Sequence, residues 1–264
     1  MTQRPSTLRR AVDARLGLVP SDDPSGRAWI VRLPSVVCVL LAACLLSLVV
    51  LEALPGWREA RMSYALGLVP ARVAAGGVGE VSLLSALGPL ISHQFLHGGW
   101  WHLGLNALGL AMFGTGVARR LGADGAVPGG AGIANRIVFV SFFAACGVAG
   151  GLTYVLLEPG SARPLIGASG AVSGLMGAAM RFALRRFAPY GVAEGALAPL
   201  LSMPILFVTL TYVGANLVAA FGIGLPGLPA GAIGWHAHIG GYLFGLATFP
   251  LYDRLATRPT TTYA

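Results

Sequence analysis

Hydrophobic and polar positions fall into blocks along this chain. Residues 1–33 are polar, with scattered Arg, Asp, Pro and Ser, and read as a mobile tail. A short amphipathic helix over residues 7–16 fits within it. Six apolar segments follow, at about residues 34–54, 100–118, 137–157, 167–182, 197–221 and 232–252. A moderately apolar stretch from Val81 precedes the second, and the fourth is short and rich in small residues. Most approach the ~20 residues that cross a bilayer as a helix. Lipid leaves backbone groups only partners within their own segment, so each segment is expected to be helical. The pattern predicts an all-α polytopic membrane protein, a six-transmembrane-helix bundle over residues 34–252, with a short tail at 253–264. The first apolar run starts too far in, and is too long, for a cleavable signal peptide.

Composition sharpens this picture. Hydrophobic residues make up 55% of the chain and charged residues 11%, against about 25% charged in ordinary soluble domains. Every basic side chain other than histidine is an arginine, which we read as the coding bias of a bacterial genome. If the segments alternate, fourteen of the 18 arginines fall on one side, before segment one, after segment six and in the links after segments two and four. Arg58, Arg61, Arg72 and Arg163 fall on the other. The positive-inside bias then places both termini in the cytoplasm, and the expected location is a bacterial inner membrane. The basic charge follows this topology, so no nucleic-acid partner is inferred. Cys38, Cys44 and Cys146 lie in apolar runs and are expected to pack as small apolar residues rather than form disulfides. The loop at residues 55–96 is long enough to suggest structure or function. Residues 222–234, rich in Gly, Pro and Leu, are suited to cap segments five and six.

No Asp, Glu or Arg lies deep in the six segments; the ionisable exceptions are histidines, and such residues are functional candidates. His102 and Asn106 lie four apart on one face of segment two. Ser169 opens segment four, and His236 and His238 lie near the start of segment six. Segments two, four and six run in the same direction, so His102, Asn106, Ser169 and His238 all belong to the outer halves of their helices. Gly170, Gly174 and Gly177 share a face of segment four, and His238, Gly241 and Gly245 share one of segment six. The pairs Gly170/Gly174 and Gly241/Gly245 have the small-xxx-small spacing that lets helices approach closely in lipid. Such an approach would bring Ser169 within reach of His238. Packing alone is the competing explanation for those glycines.

A serine beside a histidine makes an activated nucleophile. No acidic residue is placed to complete a triad, so the pair would act as a dyad. The backbone N–H of Ser169 at a helix start, with His102 and Asn106, would suit an oxyanion hole. His93 and His97 have a spacing compatible with metal binding, but no carboxylate or cysteine lies near them in sequence. No metal site or other cofactor is expected. Trp100, Trp101 and Trp235 read as interfacial belt aromatics.

Three stretches resemble the rhomboid intramembrane serine proteases. They are Phe95-Leu-His97-Gly-Gly-Trp-Trp-His102-Leu-Gly-Leu-Asn106, Gly167-Ala-Ser169-Gly170, and Ala237-His238-Ile-Gly-Gly241-Tyr-Leu-Phe-Gly245. They come in family order, on the matching segments, and the resemblance covers about residues 90–250. It implies a six-helix fold with Ser169 as nucleophile and His238 as general base and acid. It implies an oxyanion hole from His102, Asn106 and the Ser169 backbone, and no cofactor. Substrates would be single-span or polytopic membrane proteins cut near the outer face, with segment five and the 222–234 cap moving to admit them.

Three positions depart from the family pattern. Ser173 stands four residues after the nucleophile, where an aromatic often stacks on the histidine. His238 is then expected to be oriented by a hydroxyl hydrogen bond or another ring. Ala118 stands at an often acidic position. The chain's Trp-Arg pair, Trp57-Arg58, lies near segment one rather than segment two. A catalytically inactive rhomboid-like protein that binds transmembrane clients is the rival reading. A small-solute transporter ranks lower, because no repeat symmetry or pair of broken helices stands out. No His-Glu-x-x-His motif or intramembrane aspartate pair points to another protease class. The sequence leaves the oligomeric state open.

Overall fold

The computed structural model describes residues 33–75, 88–125, 127–187, 195–222 and 234–257. The expected tail helix at 7–16, most of the 222–234 cap, the stretch from Val81 to residue 87 and the last residues of the C-terminal tail lie outside them. Helices occupy all six apolar segments. They are α1 (Ser35–Glu52), α5 (Trp100–Gly109) continuing into α6 (Thr115–Arg120), α7 (Gly129–Leu157), α8 (Ser169–Ala183), α9 (Met203–Ala220) and α10 (Trp235–Leu255). Short helices α2 (Gly56–Leu66), α3 (Pro70–Ala75) and α4 (Pro89–Ser92) lie between α1 and α5. Among the described residues the only extended pairing is one antiparallel bridge, Leu68 with Leu165.

Among the described residues, three helices are long and apolar enough to cross a membrane: Ser35–Glu52, Gly129–Leu157 and Met203–Ala220. α7 starts about eight residues before its apolar segment and runs for 29 residues, about 44 Å at 1.5 Å per residue. α9 starts later than its segment: residues 195–202, which include Pro199, are not helical, and Pro204 sits in the first turn of α9, where proline is tolerated. Between α5 and α6 the backbone widens into a π-helical turn, Leu110–Gly114. A Cβ on Gly114 would lie 2.8 Å from Leu110 Cδ1, so the Leu110 side chain occupies the room this glycine leaves.

α8 is the innermost helix. Its small residues let neighbours in close, and nine of its fifteen residues are buried. A Cβ on Gly170 would lie 3.2 Å from the Ala237 carbonyl of α10. A Cβ on Gly241 would overlap the Gly170 carbonyl, and one on Gly245 would overlap that of Gly174. On its other side, Gly174 admits Cys146 of α7. Cys44 and Cys146 are buried and all three cysteines are free thiols. α1 adds a stripe of Val37, Leu40, Cys44, Leu48 and Leu51 at three- and four-residue spacing.

Polar side chains tie the arginine-rich end of the bundle. Arg120 donates from Nε and Nη2 to the two carboxylate oxygens of Asp253 on α10, each at 2.8 Å. Its Nη2 also donates to the Gly195 carbonyl at 2.6 Å. Such a two-pronged pair fixes geometry as well as attraction. Ala118, two residues earlier, is fully buried and apolar. Arg181 donates to the carbonyls of Ala198 (2.7 Å) and Leu246 (2.8 Å), joining α8 to the turn before α9 and to α10. Asn135 of α7 exchanges hydrogen bonds with the backbone of Thr257.

These contacts generate a prediction. Gly241→Ala and Gly245→Ala each force α8 and α10 apart and destabilise the fold by about 1–3 kcal/mol. Gly104→Ala, on an open part of α5 with nothing within 4 Å of a new Cβ, leaves the protein as stable as before. Thermal melting in detergent distinguishes the two: the first pair melts lower and the third does not.

Candidate active site

The stretch leading into α8 is held from several directions before it reaches Ser169. Leu68 and Leu165 exchange backbone hydrogen bonds of 3.0 and 2.8 Å, and Ala71 N–H donates to the Ser161 carbonyl at 3.0 Å. The Tyr154 hydroxyl, from α7, pairs with Ser161 Oγ at 2.8 Å and donates to the Arg163 carbonyl at 3.2 Å. Gly167 N–H donates to the His93 carbonyl at 2.9 Å. His93 in turn bonds through Nδ1 to the Pro89 carbonyl at 2.7 Å. Burial pushes its imidazole down to about 4, so the ring is neutral at physiological pH. His93 therefore belongs to the scaffold that sets the height of Ser169.

Gly167 has φ +118°, a conformation that favours glycine. A Cβ there would also stand 2.7 Å from His102 Nε2 and 3.7 Å from Ser169 Oγ. The missing side chain thus makes room for the His102 ring beside the serine. His102 comes from the first turn of α5, and Gly98 N–H donates to its Nδ1 at 3.3 Å. A neutral imidazole that accepts at Nδ1 carries its proton on Nε2, the atom nearest Gly167. His97 packs edge-on against His102 with ring centroids 5.2 Å apart.

Asn106, buried one turn below His102, donates through Nδ2 to the His102 carbonyl at 2.9 Å. A carboxamide has two N–H donors, so one remains, and Asn106 Oδ1 is buried with no protein partner. Ser169 is the first residue of α8, where backbone N–H groups lack helical partners. Its hydroxyl makes no hydrogen bond among the described residues. The Ser173 hydroxyl donates to the Ser169 carbonyl at 2.6 Å.

His238 sits in the first turn of α10, next to the Ala237 carbonyl that packs on Gly170. Ser169 and His238 thus flank the closest approach of α8 and α10. His236 turns elsewhere: it stacks on Trp235 with centroids 3.7 Å apart and lies 3.5 Å from the Glu158 carboxylate. His93 and His97 also turn to different neighbours, and among the described residues no group of three potential metal ligands gathers. Trp57 and Arg58 stack on each other on the exposed helix α2, 4.9 Å from cation to ring.

Two residues at this end of the bundle escape the motif reading. Asn216 of α9 accepts from His238 Nδ1 at 2.9 Å, and the Tyr212 hydroxyl pairs with Ser173 Oγ at 2.6 Å. The expectation of a hydroxyl or a ring beside His238 is replaced by an amide oxygen. The Tyr212 ring stacks on Tyr242, with centroids 4.7 Å apart. Their sequence signal was available: polar residues four apart near the C-terminal end of a largely apolar segment.

Comparison with known proteins agrees with this geometry at the level of family. The Rhomboid domain matches residues 85–254, well over half the chain. Over 101 residues the chain is 37% identical to Rhomboid protein 1, mitochondrial, of Saccharomyces cerevisiae. That similarity covers 36% of this chain and 24% of the yeast protein, so it spans about a quarter of that relative's length. With its long apolar helices, this is an integral membrane protein, and it belongs to the Rhomboid domain family.

Proposed function

We propose that the protein is an intramembrane serine endopeptidase. It crosses the membrane six times, with both termini in the cytoplasm of a bacterial cell, and cuts transmembrane protein substrates near the outer face. The observation that carries this reading is the packing around the start of α8. Ser169 opens α8 there, His102 Nε2 fills the space of the Cβ that Gly167 lacks, and α10 brings His238 along the Gly170 contact.

The chemistry follows from these positions. Ser169 Oγ attacks the scissile carbonyl carbon as His238 takes its proton. Negative charge then develops on the former carbonyl oxygen. The His102 Nε2–H, the unused Asn106 N–H and the Ser169 backbone N–H supply donors to that oxygen, and the positive end of the α8 dipole adds to them. Collapse breaks the C–N bond, and the His238 imidazolium returns its proton to the leaving amine. Water, deprotonated by His238, then cleaves the acyl ester and restores Ser169. Small residues in the substrate help, because they weaken its helix and free a backbone carbonyl for attack.

Ser169→Ala and His238→Ala are each expected to abolish cleavage of a single-span test substrate by the purified protein. His102→Ala and Asn106→Ala are expected to lower kcat by about 10²-fold while the protein stays folded. A fluorophosphonate probe should label Ser169 in the wild type and not in His238→Ala. Substrate capture without cleavage or labelling would instead identify an inactive client-binding rhomboid. Labelling that persists in Ser169→Ala would refute the assignment of the nucleophile.

A further inference from the structure

α9 carries a stripe of residues at three- and four-residue spacing: Ile205, Thr209, Tyr212 and Asn216. Ile205 and Asn216 are its buried residues. Each polar member of the stripe has a partner on a neighbouring helix. Thr209 Oγ1 pairs with the Tyr242 hydroxyl at 3.0 Å, Tyr212 with Ser173, and Asn216 with His238.

Counting protons fixes the direction of these bonds. A carboxamide oxygen only accepts, so His238 Nδ1 must carry the proton that reaches Asn216 Oδ1. The amide is not free to turn over, because Asn216 Nδ2 donates to the Tyr212 carbonyl at 2.9 Å. A neutral imidazole with its proton on Nδ1 presents a lone pair at Nε2. Ser173 has one hydroxyl proton, directed at the Ser169 carbonyl. The Tyr212 hydroxyl therefore donates to Ser173 Oγ. One connected set of hydrogen bonds runs from the backbone of Ser169 through Ser173 to α9, and α9 returns to His238 through Asn216.

We infer that Asn216 is the positioning residue for His238: its amide oxygen holds the imidazole in the Nδ1–H tautomer and aims Nε2 at Ser169. This rests on the proposed serine protease function. Asn216 fills the place beside the histidine that a carboxylate fills in a triad, but it comes from the helix lying over the site and is neutral. Tyr212 supports it by fixing α9 to the second turn of α8 through Ser173, where it also satisfies a buried hydroxyl.

The test uses the full-length purified protein and the rate of fluorophosphonate labelling of Ser169, with kcat and KM on a single-span substrate and melting in detergent. Asn216→Leu preserves side-chain bulk but cannot accept a hydrogen bond. Asn216→Asp keeps the accepting oxygen. The expected result is that Asn216→Leu and Asn216→Ala lower the labelling rate and kcat by roughly 10²-fold. KM and the melting midpoint should change little, and Asn216→Asp should recover most of the rate. A merely structural role predicts that Asn216→Leu labels as fast as wild type, and that outcome overturns the inference. An Asn216→Asp as slow as Asn216→Leu overturns it as well. If Asn216→Ala does not fold, the Leu and Asp arms decide. Absence of labelling in the wild type overturns the protease reading and this inference together. Wild-type labelling matched by Asn216→Leu overturns the inference alone.

Discussion

The contact on which the rest of the structure depends is backbone against backbone. α8 and α10 meet where Gly170 and Gly174 face Gly241 and Gly245, and neither pair leaves room for a Cβ. Apolar side chains gain little from association when the solvent is lipid, so helices are held by close packing and interhelical polar contacts. A short helix of small residues can sit at the centre of such a bundle, with α7 and α10 pressed on it. That close approach also brings the start of α8 beside the start of α10. The same glycines that stabilise the bundle therefore set the separation between Ser169 and His238.

The height of α8 is controlled from both ends. At the arginine-rich end, Arg181 bonds to carbonyls of its neighbours, and Arg120 clasps Asp253. At the other end, the strand-like bridge from Leu68 to Leu165 and the bond from Gly167 to His93 pin the approach to Ser169. A helix restrained this way presents its first turn at a fixed level, which suits reacting groups that need placement to a fraction of an ångström. α9 is built differently. Large side chains such as Phe207 and Leu210 are exposed along it, and a narrow stripe of Ile205 and polar residues faces the bundle.

Much of this was legible in the sequence because lipid makes local pattern decisive. An apolar run of sufficient length has to be helical, so Ser35–Glu52 and Trp235–Leu255 were readable to within a few residues. Glycine spacing on the fourth and sixth segments pointed to their contact before any coordinates. Boundaries set by other means were harder to read. α7 begins in a glycine-rich stretch ahead of its apolar segment, where Asn135 bonds to Thr257, far along the chain, and α9 begins only after Pro199. At the candidate site, Ser169, His238, His102 and Asn106 stood out because each is polar in an apolar setting within a recognisable spacing. Asn216 and Tyr212 have the same polarity, but their meaning depends on which helix α9 lies against, and no spacing within one segment encodes that.

Ser173 shows how a departure at one position is absorbed at another. A small hydroxyl on the second turn of α8 leaves both space and an unmet hydrogen bond, and the Tyr212 hydroxyl fills them from α9. The aromatic ring has in effect moved to the facing helix, where it stacks on Tyr242 instead of standing beneath His238. Tyr212 and Asn216 would be costly facing lipid, because a polar group there has few partners. Both are satisfied only when α9 lies against α8 and α10. The polar stripe thus specifies how the sparsely packed helix docks. Its last member bonds to His238, so the stripe that faces α8 and α10 also reaches that histidine.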